Sequence, residues 1–160
     1  MEYFPPLDSG EEKVYHETDV VLYNPDAQLL ERGVDAISFS DYIGRLEKGA
    51  ISILADYARQ DARGLLIAVG VKPGKKVKVW CEAVEGEIPQ MILRKLEAEL
   101  EKIPTLDINK GPIAFSLAGP LWNRTVKEFP KLPDAWMKAC SSSGKDITVP
   151  DGLFKIIWPD

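Results

Sequence analysis

Residues 65 to 83 constrain the fold more than any other stretch of the chain. Leu65 to Val71 is a nearly continuous apolar run, and Lys72-Pro73-Gly74-Lys75 places proline and glycine in type II turn order. Val77, Val79, Cys81 and Ala83 then alternate with Lys76, Lys78, Trp80 and Glu82. Alternation of period two after a tight turn specifies a β-hairpin with one buried face. Pro89 suits a first helical turn, and Ile92, Leu93, Leu96, Leu100 and Ile103 form an apolar stripe that Pro104 ends. Ile113 to Ala118 reads as a further strand, stopped by Gly119-Pro120. Residues 65 to 118 are thus predicted to be a strand-strand-helix-strand unit, with its helix over 89–103. The fold class that follows is α+β, built on an antiparallel sheet.

A second main helix is predicted over 39–62. Tyr42, Ile43, Leu46, Ala50, Ile53, Leu54 and Tyr57 recur at three- and four-residue intervals. Ser38 with Asp41 has the form of a capping box, and Gly64 suits the left-handed position that ends a helix. Gly44 and Gly49 lie inside, where close packing against another element would explain them. Upstream, Val14 and Val20 to Tyr23 suggest one or two short strands ended by Asn24-Pro25-Asp26, while residues 1–12 read as a loosely held leader. Downstream, Pro133 to Cys140 suggests a short helix, Ser141 to Gly144 a loop and Leu153 to Trp158 a final strand. No linker divides the 160 residues, so the expectation is one globular domain spanning 1–160. The strand, strand, helix, strand order of 65–118 is similar to that of the carboxy-terminal domain of TonB-family proteins, in which a short helix packs on a small antiparallel sheet. The likeness is of element order alone, and the chain is not assigned to that family.

The N-terminus lacks a signal peptide's basic start and apolar stretch, and no run of about 18 apolar residues exists to span a bilayer. With Cys81 and Cys140 the only cysteines and no Cys-x-x-Cys spacing, a cytoplasmic protein with reduced thiols is expected. Charge is unevenly spread. Residues 1–35 hold nine acids (Glu2, Asp8, Glu11, Glu12, Glu17, Asp19, Asp26, Glu31, Asp35) against Lys13 and Arg32. That balance of −7 leaves +2 for the rest of a chain whose net charge is −5. Such a segment disfavours nucleic acid and suits a basic protein partner.

Candidate sites are few. Ser141-Ser142-Ser143-Gly144-Lys145-Asp146 looks like part of a phosphate loop, but Ala139 stands where the first glycine belongs and Asp146 replaces the hydroxyl residue. His16 is the lone histidine, so a multi-histidine metal site is excluded, and neither a metal nor a cofactor is expected. Glu97 and Glu101, among Arg94, Lys95 and Lys102, read as a solvated helix face. Lys72, Lys75, Lys76 and Lys78 cluster at the hairpin turn, and Trp122, Phe129, Trp136, Phe154 and Trp158 crowd the last third. Both groups suit binding surfaces, the aromatic one because tryptophan is enriched at interface hot spots. The expectation is a non-enzymatic protein-interaction module that binds a basic partner in the manner of an immunity or antitoxin protein, or self-associates as a dimer. The alternative is a small enzyme or ligand-binding domain assembled around His16, with Asp19 and a serine or Cys140.

Overall fold

The computed structural model describes residues 14–143 and 147–159. The leader at 1–12 and residues 144–146 of the serine segment lie outside them. Strands β1 (Asp19–Leu22), β2 (Gly64–Lys72), β3 (Lys76–Val84) and β4 (Ile113–Pro120) form one antiparallel sheet in the order β1-β4-β2-β3. The last strand lies between the first and the second, so contacts distant in sequence close the sheet. Helices α1 (Asp26–Glu31), α2 (Ala36–Leu54), α3 (Gln90–Leu100), α4 (Asp134–Ser143) and α5 (Asp151–Ile157) complete the described fold. The expected α+β class, with its strand-strand-helix-strand unit and two main helices, is present. At the hairpin Lys72 pairs with Lys76 across Pro73-Gly74-Lys75, and Gly74 takes the positive φ of +90° that this turn requires.

One face of the sheet carries the alternating residues Leu65, Ile67, Val69, Val71, Val79, Cys81, Ile113, Phe115 and Leu117. They form a single core with Tyr42, Leu46, Ala50 and Leu54 of α2 and with Ile92, Leu93, Leu96 and Leu100 of α3. Gly49 permits the two helices to meet, since a Cβ there would lie 3.0 Å from Leu100 Cδ2, whereas Gly44 faces open space.

The opposite face is also covered, which the expectation of one buried face missed. The middle strands carry small residues there, Ala68 and Gly70 on β2 and Ala114 and Ser116 on β4, and large rings from the last third fill the space above them. Trp136 and Phe154 are buried, and Trp80, placed by sequence on the hairpin's polar side, stacks on Phe154 at 5.8 Å and meets Trp136 edge-on at 5.2 Å. A nearly continuous apolar strand such as β2 is the pattern of burial on both sides. Arg32, 6% exposed, fastens this layer to the rest. Its Nη1 and Nη2 donate to the two carboxylate oxygens of Asp151 at 2.9 and 3.0 Å, and Nη1 also donates to the Pro112 carbonyl.

Several boundaries differ from expectation. The cap of α2 is Asp35, whose carboxylate accepts from the Ser38 N–H at 2.9 Å and the Ser38 hydroxyl at 2.7 Å, so the helix begins three residues before the predicted start. It ends at Leu54, and Gly64 opens β2 instead of closing a helix. Ser141 to Ser143 finish α4 instead of forming a loop. Residues 151–157 are a helix, not a strand, with Asp151 in the first turn and Lys155 in the last, both favourable to the helix dipole. The short helix α1 follows the Asn24-Pro25 turn without a sequence signal that singled it out.

Close packing makes two glycines sensitive. A Cβ on Gly70 would lie 2.5 Å from Phe154 Cζ, and one on Gly119 would lie 1.9 Å from the His16 carbonyl oxygen. Gly70→Ala is expected to lose about 1–3 kcal/mol, because a ring can shift. Gly119→Ala is expected to lose more, because main chain must move; urea denaturation of both variants checks the order. Asp151 is held below the usual carboxylate range by its bond to Arg32. The stability this contributes is present at neutral pH and is lost as pH falls through the lowered value. Thermal unfolding against pH should therefore show an acid-side decline that Asp151→Asn flattens.

Candidate functional site

The two groups of predicted binding residues meet at one end of the second layer. Lys72 Nζ sits 4.4 Å from the Trp158 ring centre and donates to the Trp158 carbonyl, and Lys78 Nζ lies 5.6 Å from the Trp80 ring. Lys75 and Lys76 project at the exposed hairpin tip. Trp136 is completely buried, Trp158 half-buried, and Phe129 packs with Val126 against Leu66, Val84 and Ala118. Trp122 belongs to the other core, at 6% exposure, with Arg124 5.2 Å from its ring. These rings are chiefly packing; the solvent-facing members of the two groups are lysines.

His16 stands half-exposed, its Nδ1 3.7 Å from Glu47 Oε2. The Cys81 thiol is buried, and burial pushes its pKa well above the ordinary range, which makes a poor nucleophile. Cys140 is half-buried on α4, on the sheet face opposite the Cys81 side chain. Among the described residues, no three His, Cys, Asp or Glu side chains are grouped to hold a metal ion.

The feature that sequence reasoning missed is the treatment of the sheet edges. On β3 the N–H groups of residues 77, 79, 81 and 83 point away from β2, because the even residues pair with it. Glu101 Oε2 accepts from the Val79 N–H and Glu97 Oε2 from the Cys81 N–H, each at 2.9 Å. The geometry is commensurate: four residues of helix rise about 6 Å, and two residues of strand span about 6.7 Å. Glutamates at i and i+4 of α3 therefore match amides at i and i+2 of β3. This corrects the reading of Glu97 and Glu101 as a solvated face; Glu97 is only 16% exposed, and burial raises its pKa. The sole sequence signal was the four-residue spacing of two carboxylates beside an edge hairpin.

On the other edge, Tyr15 bridges Leu121, and Thr18 N–H donates to the Ala118 carbonyl at 2.9 Å although Asp19 is the Ala118 partner. Two residues thus oppose one, a β-bulge that reverses which amides face outward. Before it the Glu17 N–H faces out and donates to Glu47 of α2 at 2.6 Å. After it the backbone N–H and C=O of Val20 and Leu22 face out. Among the described residues no group hydrogen-bonds to them, and their side chains are 39% and 41% exposed. Asp19 and Asp26 flank this window without an ion-pair partner among the described residues.

No family model, curated protein or solved structure matches this chain. The site must be read from its own geometry. No helix among the described residues is long and apolar enough to cross a membrane.

A second opening lies beside Ala83, in a cleft of about 810 Å³ lined by Asp61, Glu82, Glu87, Arg94 and Asp134. Its carboxylates are partly engaged: Glu82 accepts from the Asp134 and Ala135 N–H groups, Asp61 from the Glu87 N–H, and Asp134 pairs with Lys138 at 2.9 Å. A single outward residue opens there, against two in succession on β1.

Removing the guards should expose the β3 edge. Glu97→Ala is expected to cost about 1–3 kcal/mol through the orphaned Cys81 amide, whereas Glu97→Gln keeps an acceptor and sheds a charge that burial disfavours. The double variant Glu97→Ala, Glu101→Ala should self-associate by its bared edge, as sedimentation velocity would report.

Proposed function

We propose that this chain is a non-enzymatic protein-interaction module that binds a basic partner through its acidic amino-terminal surface, in the manner of an immunity or antitoxin protein. The observation that carries the reading is the open window at Val20 and Leu22, bordered by Asp19 and Asp26, which have no ion-pair partner among the described residues. A partner bringing lysine or arginine to Asp19, Asp26 and Glu31 would meet complementary potential, which accelerates encounter and excludes acidic competitors. Half-exposed apolar side chains between those charges supply area to bury, and charge without such area gives steering but little residence. The half-exposed setting of His16 favours this reading over an enzyme assembled around it.

Affinity capture from the native host, at low ionic strength and again at about 0.5 M salt where the Debye length shrinks to a few ångström, tests the proposal. The expected partner has a high isoelectric point, binds with a salt-sensitive on-rate, and is lost to the variant Asp19→Lys, Asp26→Lys, Glu31→Lys. Capture insensitive to both salt and charge reversal would sink it.

A further inference from the structure

We infer that the basic partner presents an extended segment that adds to β1 as a fifth strand along Val20 to Leu22. The inference rests on the proposed function and specifies how the partner is held. Strand addition needs outward main-chain donors and acceptors on a sheet edge, with side-chain positions alternating between the two faces. β1 supplies both. The N–H and C=O groups of Val20 and Leu22 point out from the sheet, while their side chains share the α2 side with Phe115 and Leu117 of β4. The Asp19 side chain points to the other face, beside Ala118. A segment alternating apolar and basic residues therefore lays its apolar side chains against Val20 and Leu22 and turns its basic ones toward Asp19.

The length of the window restricts what can enter. Glu47 occupies the outward amide of Glu17, the bulge at Thr18 and Asp19 breaks the ladder, and Pro25 lies just beyond Tyr23 and Asn24. An added strand has room for two outward-facing residues and the one between them. Charge then selects the occupant. A second copy of this chain would bring its own Glu17, Asp19, Asp26 and Glu31 to the same edge, so like charges would confront one another across the new ladder. A basic segment meets them as counter-charges.

The test uses the full chain and a soluble synthetic peptide of alternating lysine and valine, with an alternating glutamate and valine peptide as control. Binding is followed by fluorescence anisotropy, and amide exchange is read residue by residue by NMR. Strand addition predicts that the lysine peptide slows exchange of the Val20 and Leu22 amides at least about tenfold and that the glutamate peptide does not. Val20→Pro removes an outward amide without breaking a bond to β4, so it should weaken binding about tenfold or more while circular dichroism stays unchanged. Should that variant misfold, Leu22→Lys tests the same edge by placing a like charge against the peptide. Salt-dependent binding without added protection at Val20 and Leu22 overturns strand addition and leaves the basic-partner reading standing. No binding of the lysine peptide overturns both. Protection at Val20 and Leu22 that rises with protein concentration alone overturns the inference in favour of a second copy.

Discussion

Strands β2 and β4 are apolar on both faces, and a sheet with such a centre must be covered twice. The α2 and α3 stripes meet the first requirement with ordinary amphipathic helices. The second is met by residues 121–143 and 147–158, in which two short helices carry large aromatic rings. What makes this possible is the pairing of sizes. Ala68, Gly70, Ala114 and Ser116 leave a shallow floor, and Trp136, Phe154 and Trp80 occupy the volume that larger strand residues would have taken. Aromatic rings bury roughly 150–250 Å² each, so a few of them can close a face that short helices alone could not. The Arg32–Asp151 bond then ties α5 back to α1 across the end of the sheet.

Covering both faces leaves the edges, and here helices act through carboxylates. An edge amide needs an acceptor, and a glutamate reaching from a neighbouring helix supplies one while its charge repels other acidic chains. Glu97 and Glu101 do this for β3, and Glu47 does it for one residue of β1. Among the described residues, guarding is incomplete where no helix glutamate reaches, at Val20 and Leu22 on β1 and at Val77 and Ala83 on β3. Natural sheets commonly blunt an edge with bulges and charges along its whole length. An interruption in that guard, filled by apolar side chains, is a different arrangement.

The parts of this fold legible in the sequence were those with a local period. The hairpin, the α2 and α3 stripes and the strand at 113–118 each declare themselves within a single local stretch of sequence. Helix ends were less legible, because the Asp35 cap and the stop at Leu54 depend on where tertiary packing begins and ceases. α5 was misread since Leu153 to Trp158 is a short apolar run, which strand and helix share; Pro150 and Asp151 ahead of it and Lys155 within it were the better guide. Trp80 lay between Lys78 and Glu82, so alternation alone assigned it to water, and the rings of a distant segment partly cover it. The edge guards had no local signature at all. Whether Glu97 meets solvent or a strand amide is decided by the approach of α3 to β3, which no spacing within α3 encodes.

Charge placement follows from the same asymmetry between the two edges. On β3 the carboxylates sit against amides and helix N-termini, where their charge is largely answered: Glu97 and Glu101 by the strand, Glu82 by the first turn of α4, and Glu85 by the Lys127 and Glu128 N–H groups. On β1 Glu47 alone is so occupied among the described residues, where Asp19 and Asp26 have no ion-pair partner. Carboxylates that hold a fold together are poor at attracting a partner, because their potential is already neutralised by nearby donors. Those that hold nothing in the fold retain it. Among the described residues, the edge with unanswered charge also holds two successive outward residues with unanswered backbone, and a single extended basic chain is the kind of group that would satisfy both.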